Sequence, residues 1–212
     1  MRRALPALIG LCFLTATAAP GQVTLGLKAG FNVSDLNVEN AAGETVDWKS
    51  QSAFAGGTYL QFGLGSVFAL QPEILYSPKG AKQDITDGTL SLDLTYLDVP
   101  LLLMARIPAG DSPIWPILYV GPVISFELDC KLKSAAASVD CDAGGTPASR
   151  TDATDYGVVF GLGFEFFFGS IRSQLDARYT LGLNDINATD SGASVKNRGW
   201  TFLFGLGYAL SP

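Results

Sequence analysis

Large apolar residues recur at every second position through most of this chain. The pattern is clearest from Gly199 to Leu210, where Trp200, Phe202, Phe204, Leu206, Tyr208 and Leu210 alternate with Thr201, Leu203, Gly205, Gly207 and Ala209. Successive side chains of a strand point to opposite faces. This stretch therefore carries one bulky apolar face and one small face. At roughly 3.3 Å per residue it is long enough to cross a bilayer when tilted. A half-buried soluble strand sets an apolar face against a polar one. Here the bulky face suits lipid and the small face suits a crowded interior. A strand in hydrocarbon cannot leave its backbone edge open, so it must pair with earlier strands and close a barrel.

Seven further segments repeat the pattern: Val23–Val33, about Ser52–Phe62, Val67–Lys79, Leu90–Ile107, Ile117–Asp129, Asp155–Phe168 and Ile171–Leu183. The outer face of the sixth reads Tyr156, Val158, Phe160, Leu162, Phe164, Phe166 and Phe168, and that of the seventh includes Ile171, Leu175, Tyr179 and Leu181. The complementary inward set contains Lys28, Asn32, Tyr59, Gln61, Gln71, Glu73, Lys79, Tyr119, Glu127, Glu165, Arg172, Gln174, Asp176 and Arg178, with many glycines. The fourth segment changes phase: Leu90, Leu92 and Leu94 share one parity, then Leu97, Val99, Leu101 and Leu103 the other. A one-residue slip near Tyr96 is what a β-bulge produces.

The expected fold is all-β, an eight-stranded antiparallel up-and-down transmembrane barrel. Its connections alternate, long after the first, third, fifth and seventh strands and short after the second, fourth and sixth. Bacterial outer-membrane barrels place long loops outside and short turns in the periplasm, so both ends of the mature chain are expected in the periplasm. Gly157 and Gly161 also have the spacing of a membrane-helix contact. That run, Gly157 to Ile171, spans only ~22 Å as a helix and contains Glu165, so a strand is the better reading.

Residues 1–22 change the picture. Arg2 and Arg3 precede an apolar run from Ala4 to Phe13 or Leu14, and Ala16-x-Ala18 has the small residues of a cleavage site. This is a secretory signal over 1–21, cut after about 18–21, leaving 22–212 as the barrel. The apolar run is shorter than the ~20 residues of a spanning helix. Cys12 follows Leu11 inside that run and does not read as a lipidation site. Without Arg2 and Arg3, 12 basic residues of the original 14 face 20 acidic ones, a net charge of −8. Such a chain lacks the basic patches that nucleic acid needs. Cys130 and Cys141 remain, and an even pair in an exported chain reads as a disulfide.

Several stretches resemble the outer-membrane β-barrel family described as porin family proteins. They are Leu70 to Lys82 (LQPEILYSPKGAK), Tyr96 to Leu102 (YLDVPLL), Gly121-Pro122, Asp176 to Leu183 (DARYTLGL) and the terminal GLGYAL. The resemblance covers nearly all the mature chain. It implies an eight-stranded barrel in a Gram-negative outer membrane and little about activity. Family chains commonly end on an aromatic residue, whereas this one reads Leu210-Ser211-Pro212.

Catalytic chemistry has few candidates. There is no histidine, which removes the usual general base. The inward acids Glu73, Asp98, Glu127, Glu165 and Asp176 instead match the inward bases Lys28, Arg172 and Arg178 as an interior polar network. No cofactor and no metal is expected. Asp140, Asp142, Asp152 and Asp155 read as a solvated loop face, and Asn187-Ala188-Thr189 as a chance glycosylation triplet. The leading functional reading is a non-enzymatic barrel, largely plugged, with a structural or surface-interaction role. Its expected partners are membrane lipid, the outer-membrane assembly machinery during insertion and an unidentified extracellular molecule; a monomer is expected. The alternatives are a narrow pore for small solutes and a soluble lipocalin-like carrier, which would keep its large apolar residues inside.

Overall fold

The computed structural model describes residues 23–39, 44–46, 49–85, 88–134, 138–141, 153–185 and 194–210. The signal segment with Cys12, and Asp142, Asp152, the 187–189 triplet, Ser211 and Pro212, lie outside them.

The alternating segments form eight long strands: β1 (Val23–Glu39), β3 (Lys49–Leu64), β4 (Phe68–Ile85), β5 (Gly88–Arg106), β6 (Ile114–Lys133), β8 (Thr154–Phe168), β9 (Ile171–Gly182) and β10 (Ser194–Ala209). Two short strands, β2 (Thr45–Val46) and β7 (Ser138–Asp140), extend the ladder from β1 and β6 at the long-loop end. Each long strand runs antiparallel to its neighbour in sequence, and β10 closes onto β1 from Thr24↔Ala209 to Glu39↔Ser194. Closure leaves neither long terminal strand with a free edge, as a hydrocarbon environment requires.

The alternation sorts the two faces as hydropathy predicts. Phe160, Leu162, Phe164, Trp200, Phe202, Phe204, Leu206, Tyr208 and Leu210 point outward and stay exposed, while Lys28, Glu73, Gln174 and Arg178 are buried inside. Inward glycines accommodate rings. A Cβ at Gly26 or Gly207 would run into Tyr59, and one at Gly161 into Tyr119. Glycine in a strand here marks close approach by another group.

Three expectations change. First, the strands outrun the apolar segments. The polar stretch Gly80–Thr89, expected as a loop, is largely β4 and β5, which stay paired through Ile85↔Gly88. Backbone pairing continues past the point where lipid ceases to demand apolar side chains. Second, β5 has no phase change. Leu94, Tyr96, Asp98, Leu102 and Met104 all point inward on one unbroken alternation. The register irregularity does fall beside Tyr96, but Thr95↔Asp129 gives way to Tyr96↔Glu127, so the extra residue is Leu128 of β6. The leucines change parity because the interior near the long-loop end is itself apolar. Third, one wall of the interior is apolar lower down: Ala69, Leu102, Met104, Ile117, Tyr119, Val123 and Val159 pack together.

Candidate functional site

Inward polar side chains from β1, β4, β6 and β9 converge at the middle of the barrel. Lys28 Nζ donates to Glu73 Oε1 at 2.9 Å and to Asp176 Oδ2 at 3.0 Å. The Arg178 guanidinium grips Glu73 through Nη1 at 2.6 Å and Nη2 at 3.2 Å, and also donates to Asp176 Oδ1 from Nη2 at 3.1 Å. Tyr119 donates its hydroxyl proton to the same Asp176 oxygen. Two acids and two bases thus balance, with 3% or less of any side chain exposed. The fork of Arg178 matches a carboxylate in two parallel bonds, the strongest geometry such a pair has.

A glutamine chain continues towards the short-turn end. Gln71 donates to Glu73 at 2.7 Å, and its own carbonyl accepts from Gln61 at 3.3 Å and Gln174 at 3.2 Å. Beyond it Glu165, wholly buried, is 3.7 Å from Arg106 Nε, and neither carboxylate oxygen has a hydrogen-bond donor. Arg172 donates to the Gly169 carbonyl at 2.9 Å and lies over the Phe167 ring at 4.5 Å.

Towards the long-loop end, Lys79 donates to Asp98 at 3.0 Å and Ser125 at 3.3 Å, with its ammonium 4.6 Å from the centre of the Tyr96 ring. Asn197 donates to Asp155 at 2.8 Å. A cavity of about 10 Å³ lies among Asn32, Ser77, Lys79, Asp98 and Asn197, room for about one water. Above it Ala81, Leu94, Tyr96, Cys130 and Cys141 form an apolar cluster, with Leu92 and Val195 against it. The two cysteines are bonded, their Cα atoms 5.4 Å apart. The bulge at Leu128 gives Cys130 its inward phase, opposite Leu94.

Of the eight charged residues expected as one network, four come together: Lys28, Glu73, Asp176 and Arg178. Asp98 pairs with Lys79 in a separate group, Glu165 faces Arg106, and Arg172 lies at the short-turn mouth. Glu127 is half-buried, opposite Tyr96 and next to the bulge. Sequence reasoning passed over Arg106 and Tyr96. Both sit on the even, inward parity of β5, and the supposed slip hid that parity. It placed no role on Asn197 either, whose inward position follows from extending β10 back to Ser194. Among the described residues, no three His, Cys, Asp or Glu side chains come together in a metal-binding group.

Residues 16–188 match the family model for the outer membrane protein beta-barrel domain. No curated protein sequence matches. Among solved structures, the outer membrane protein OprG from Pseudomonas aeruginosa aligns over 91% of this chain and 98% of its own, with a TM-score of 0.59 and 15% identity. Neisserial surface protein A aligns over 89% and 96%, with a TM-score of 0.52 and 11% identity. Outer membrane protein AlkL covers 100% and 99%, with a TM-score of 0.50 and 15% identity. At these identities the likeness concerns the fold. The family match spans most of the chain, the ladder closes as an outer-membrane barrel must, and the chain accordingly belongs to the outer membrane protein beta-barrel domain family, whose place is the bacterial outer membrane.

Proposed function

We propose that this protein is a non-enzymatic barrel whose interior is plugged and whose long-loop end serves a structural or surface-interaction role. The observation that carries the reading is the charge-balanced cluster of Lys28, Glu73, Asp176 and Arg178, which joins β1, β4 and β9 across the middle of the barrel. An eight-stranded barrel has an interior that side chains just fill, whereas open aqueous channels appear at about 16–18 strands. Breaking the cluster to admit a solute would strand charges in a dry interior, which costs several kcal/mol per ion. The short turns and both chain ends face the periplasm, the long loops face outside, and the barrel works as a monomer after insertion by the assembly machinery.

Single-channel recording in planar bilayers, combined with liposome swelling, tests this. The plugged barrel gives no stable conductance step and no sugar uptake above empty liposomes. Large stable steps from a verified monomer overturn the reading in favour of small-solute transport.

A further inference from the structure

At the long-loop end, backbone pairing does not close the whole wall. Beyond Arg198↔Leu181, β10 is paired on its β1 side alone among the described residues, because β9 ends at Gly182. Side chains span the gap instead. Asp155, which reads in sequence as part of a solvated loop face, is 3% exposed, and Asn197 is 2% exposed. Asn197 Nδ2 donates to Asp155 Oδ2 at 2.8 Å, tying β10 to β8 across the end of β9. Gly182 keeps that crossing clear, since a Cβ there would lie 2.6 Å from the Asn197 carbonyl oxygen. The crossing stands beyond the apolar band: the outward neighbours of Asn197 are Lys196, exposed, and Arg198, paired with Asp35.

The two groups are mismatched as a carboxylate and an amide. Asp155 Oδ1 and Asn197 Oδ1 are both buried acceptors with no donor. Two donors in the neighbourhood are committed elsewhere: the Tyr156 N–H to Asn184 Oδ1 at 2.6 Å, and the Lys79 ammonium to Asp98 and Ser125. Asn197 Nδ2 also reaches the Tyr96 hydroxyl at 3.4 Å. A planar amide and a planar carboxylic acid can close a ring of two hydrogen bonds, N–H to one carboxyl oxygen and O–H back to the amide oxygen. The titratable groups around Asp155 are Lys79 on β4, Asp98 and Tyr96 on β5, Glu127 opposite Tyr96 on β6, and Asp185 after β9, which accepts the Val195 N–H. Burial favours the neutral acid and raises the Asp155 pKa; Asp98 adds to this, while the Asn197 bond and the Lys79 charge oppose it.

We propose that Asp155 and Asn197 form a proton-operated latch on the long-loop rim: a proton at Asp155 Oδ1 donates to Asn197 Oδ1, and the β8–β10 crossing passes from one hydrogen bond to two. The ligand of this site is the proton itself, whichever compartment the long loops face, and the latch is independent of the plugged-barrel reading. A carboxyl that holds its proton more tightly in the folded chain than in the unfolded one stabilises the fold at low pH, and that contribution is lost as pH rises through its folded pKa. Mild acid therefore fastens the rim between β8 and β10, and neutrality loosens it.

Amide exchange of the full detergent-folded barrel, corrected for its intrinsic pH dependence, is compared at about pH 4 and about pH 8. Relative to the amides flanking Lys28, those of Val195 to Gly199 are expected to exchange about fivefold more slowly in acid, the net worth of one added hydrogen bond. Asp155→Asn puts an amide where the protonated acid stands, keeps both bonds at either pH, and is expected to be protected equally at both. Equal exchange of the wild type at the two pH values, as a resident water on Asn197 would give, overturns the latch. So does a pH difference that survives in Asp155→Asn. Calcium chloride at about pH 8 is expected to restore no protection; if it does, the pair is a cation site and the proton reading falls. Carboxyl-carbon NMR of the wild type needs no variant. Asp155 is expected to titrate above the range of a free aspartate, and titration at or below that range overturns the proposal.

Discussion

Arg178 reaches Glu73 from the opposite wall of the barrel, 2.6 Å from Nη1 to Oε2, although 105 residues separate them in sequence. Each satisfies the other, and Lys28 and Asp176 balance the remainder. Glu73→Gln leaves three charges with a net excess in a dry interior. It should destabilise the detergent-folded barrel by about 3–5 kcal/mol, seen as a lower temperature for the gel-mobility shift. Breaking the exposed pair Lys49–Asp84 at the long-loop rim should leave that shift almost unmoved, because solvent screens the pair. An unchanged shift in Glu73→Gln argues against a buried network.

Gly26 and Tyr59 form a matched pair of a different kind. The ring occupies the space that a Cβ at Gly26 needs. Gly26→Ala should cost about 1–3 kcal/mol through overpacking. In a Tyr59→Ala background the same change should cost nearly nothing, because the obstruction is gone. Guanidinium melts of the four proteins give the coupling energy; strict additivity contradicts the pairing.

Leu162 faces outward, 56% exposed, at the middle of β8. Leu128 is equally outward, 57% exposed, but sits in the β6 bulge among Glu127 and Asp129 near the long-loop end. Arg at position 162 should cost about 2–4 kcal/mol at mid-membrane depth, and at 128 about 0–1 kcal/mol. Folding titrations into lipid vesicles measure both. Equal costs would mean that the two share one environment.

The Cys130–Cys141 bond closes a loop with sequence separation 11. In the chain-entropy account a loop of this size restrains the unfolded chain by about 3 kcal/mol. Thiol titration of the denatured, unreduced mature protein should find almost no free thiol, and two thiols would falsify the bond. Cys130→Ala with Cys141→Ala should also loosen the apolar cluster around Leu94 and Tyr96, shortening amide-exchange lifetimes there and leaving Lys28 and its neighbours protected.

The barrel was legible in the sequence where lipid dictated the pattern. Phe160, Phe202 and Phe204 could not alternate with small residues for another reason that also explained the long and short connections. Legibility failed where lipid stops acting. Gly80–Thr89 reads as a loop because its side chains are polar, yet the hydrogen-bonded ladder runs through most of it. Leu94 reads as lipid-facing because it is apolar, yet it faces inward against Cys130. Leu102 and Met104 sit in the unbroken apolar run Leu101–Ala105, so hydropathy could not say which of them line the apolar inner wall. The charged site was half legible. Parity placed Lys28, Glu73, Asp176 and Arg178 inside, but depth along the axis decides which charges meet. That depth depends on register, which single-strand patterns do not carry.

The length of β4 and β5 bears on what an approaching molecule meets. β5 has 19 residues, about 45 Å along the barrel axis at a strand tilt of 45°, against an apolar band about 25 Å tall. Much of the surplus lies at the long-loop end, where β4 and β5 remain paired to Ile85↔Gly88. In the orientation proposed above, the cell surface is met by a stiff turret with ion-paired battlements, Lys49 with Asp84 and Lys133 with Asp93, raised clear of the hydrocarbon. Its recognition geometry is set by barrel register, and a binder docking there forfeits little loop entropy on contact.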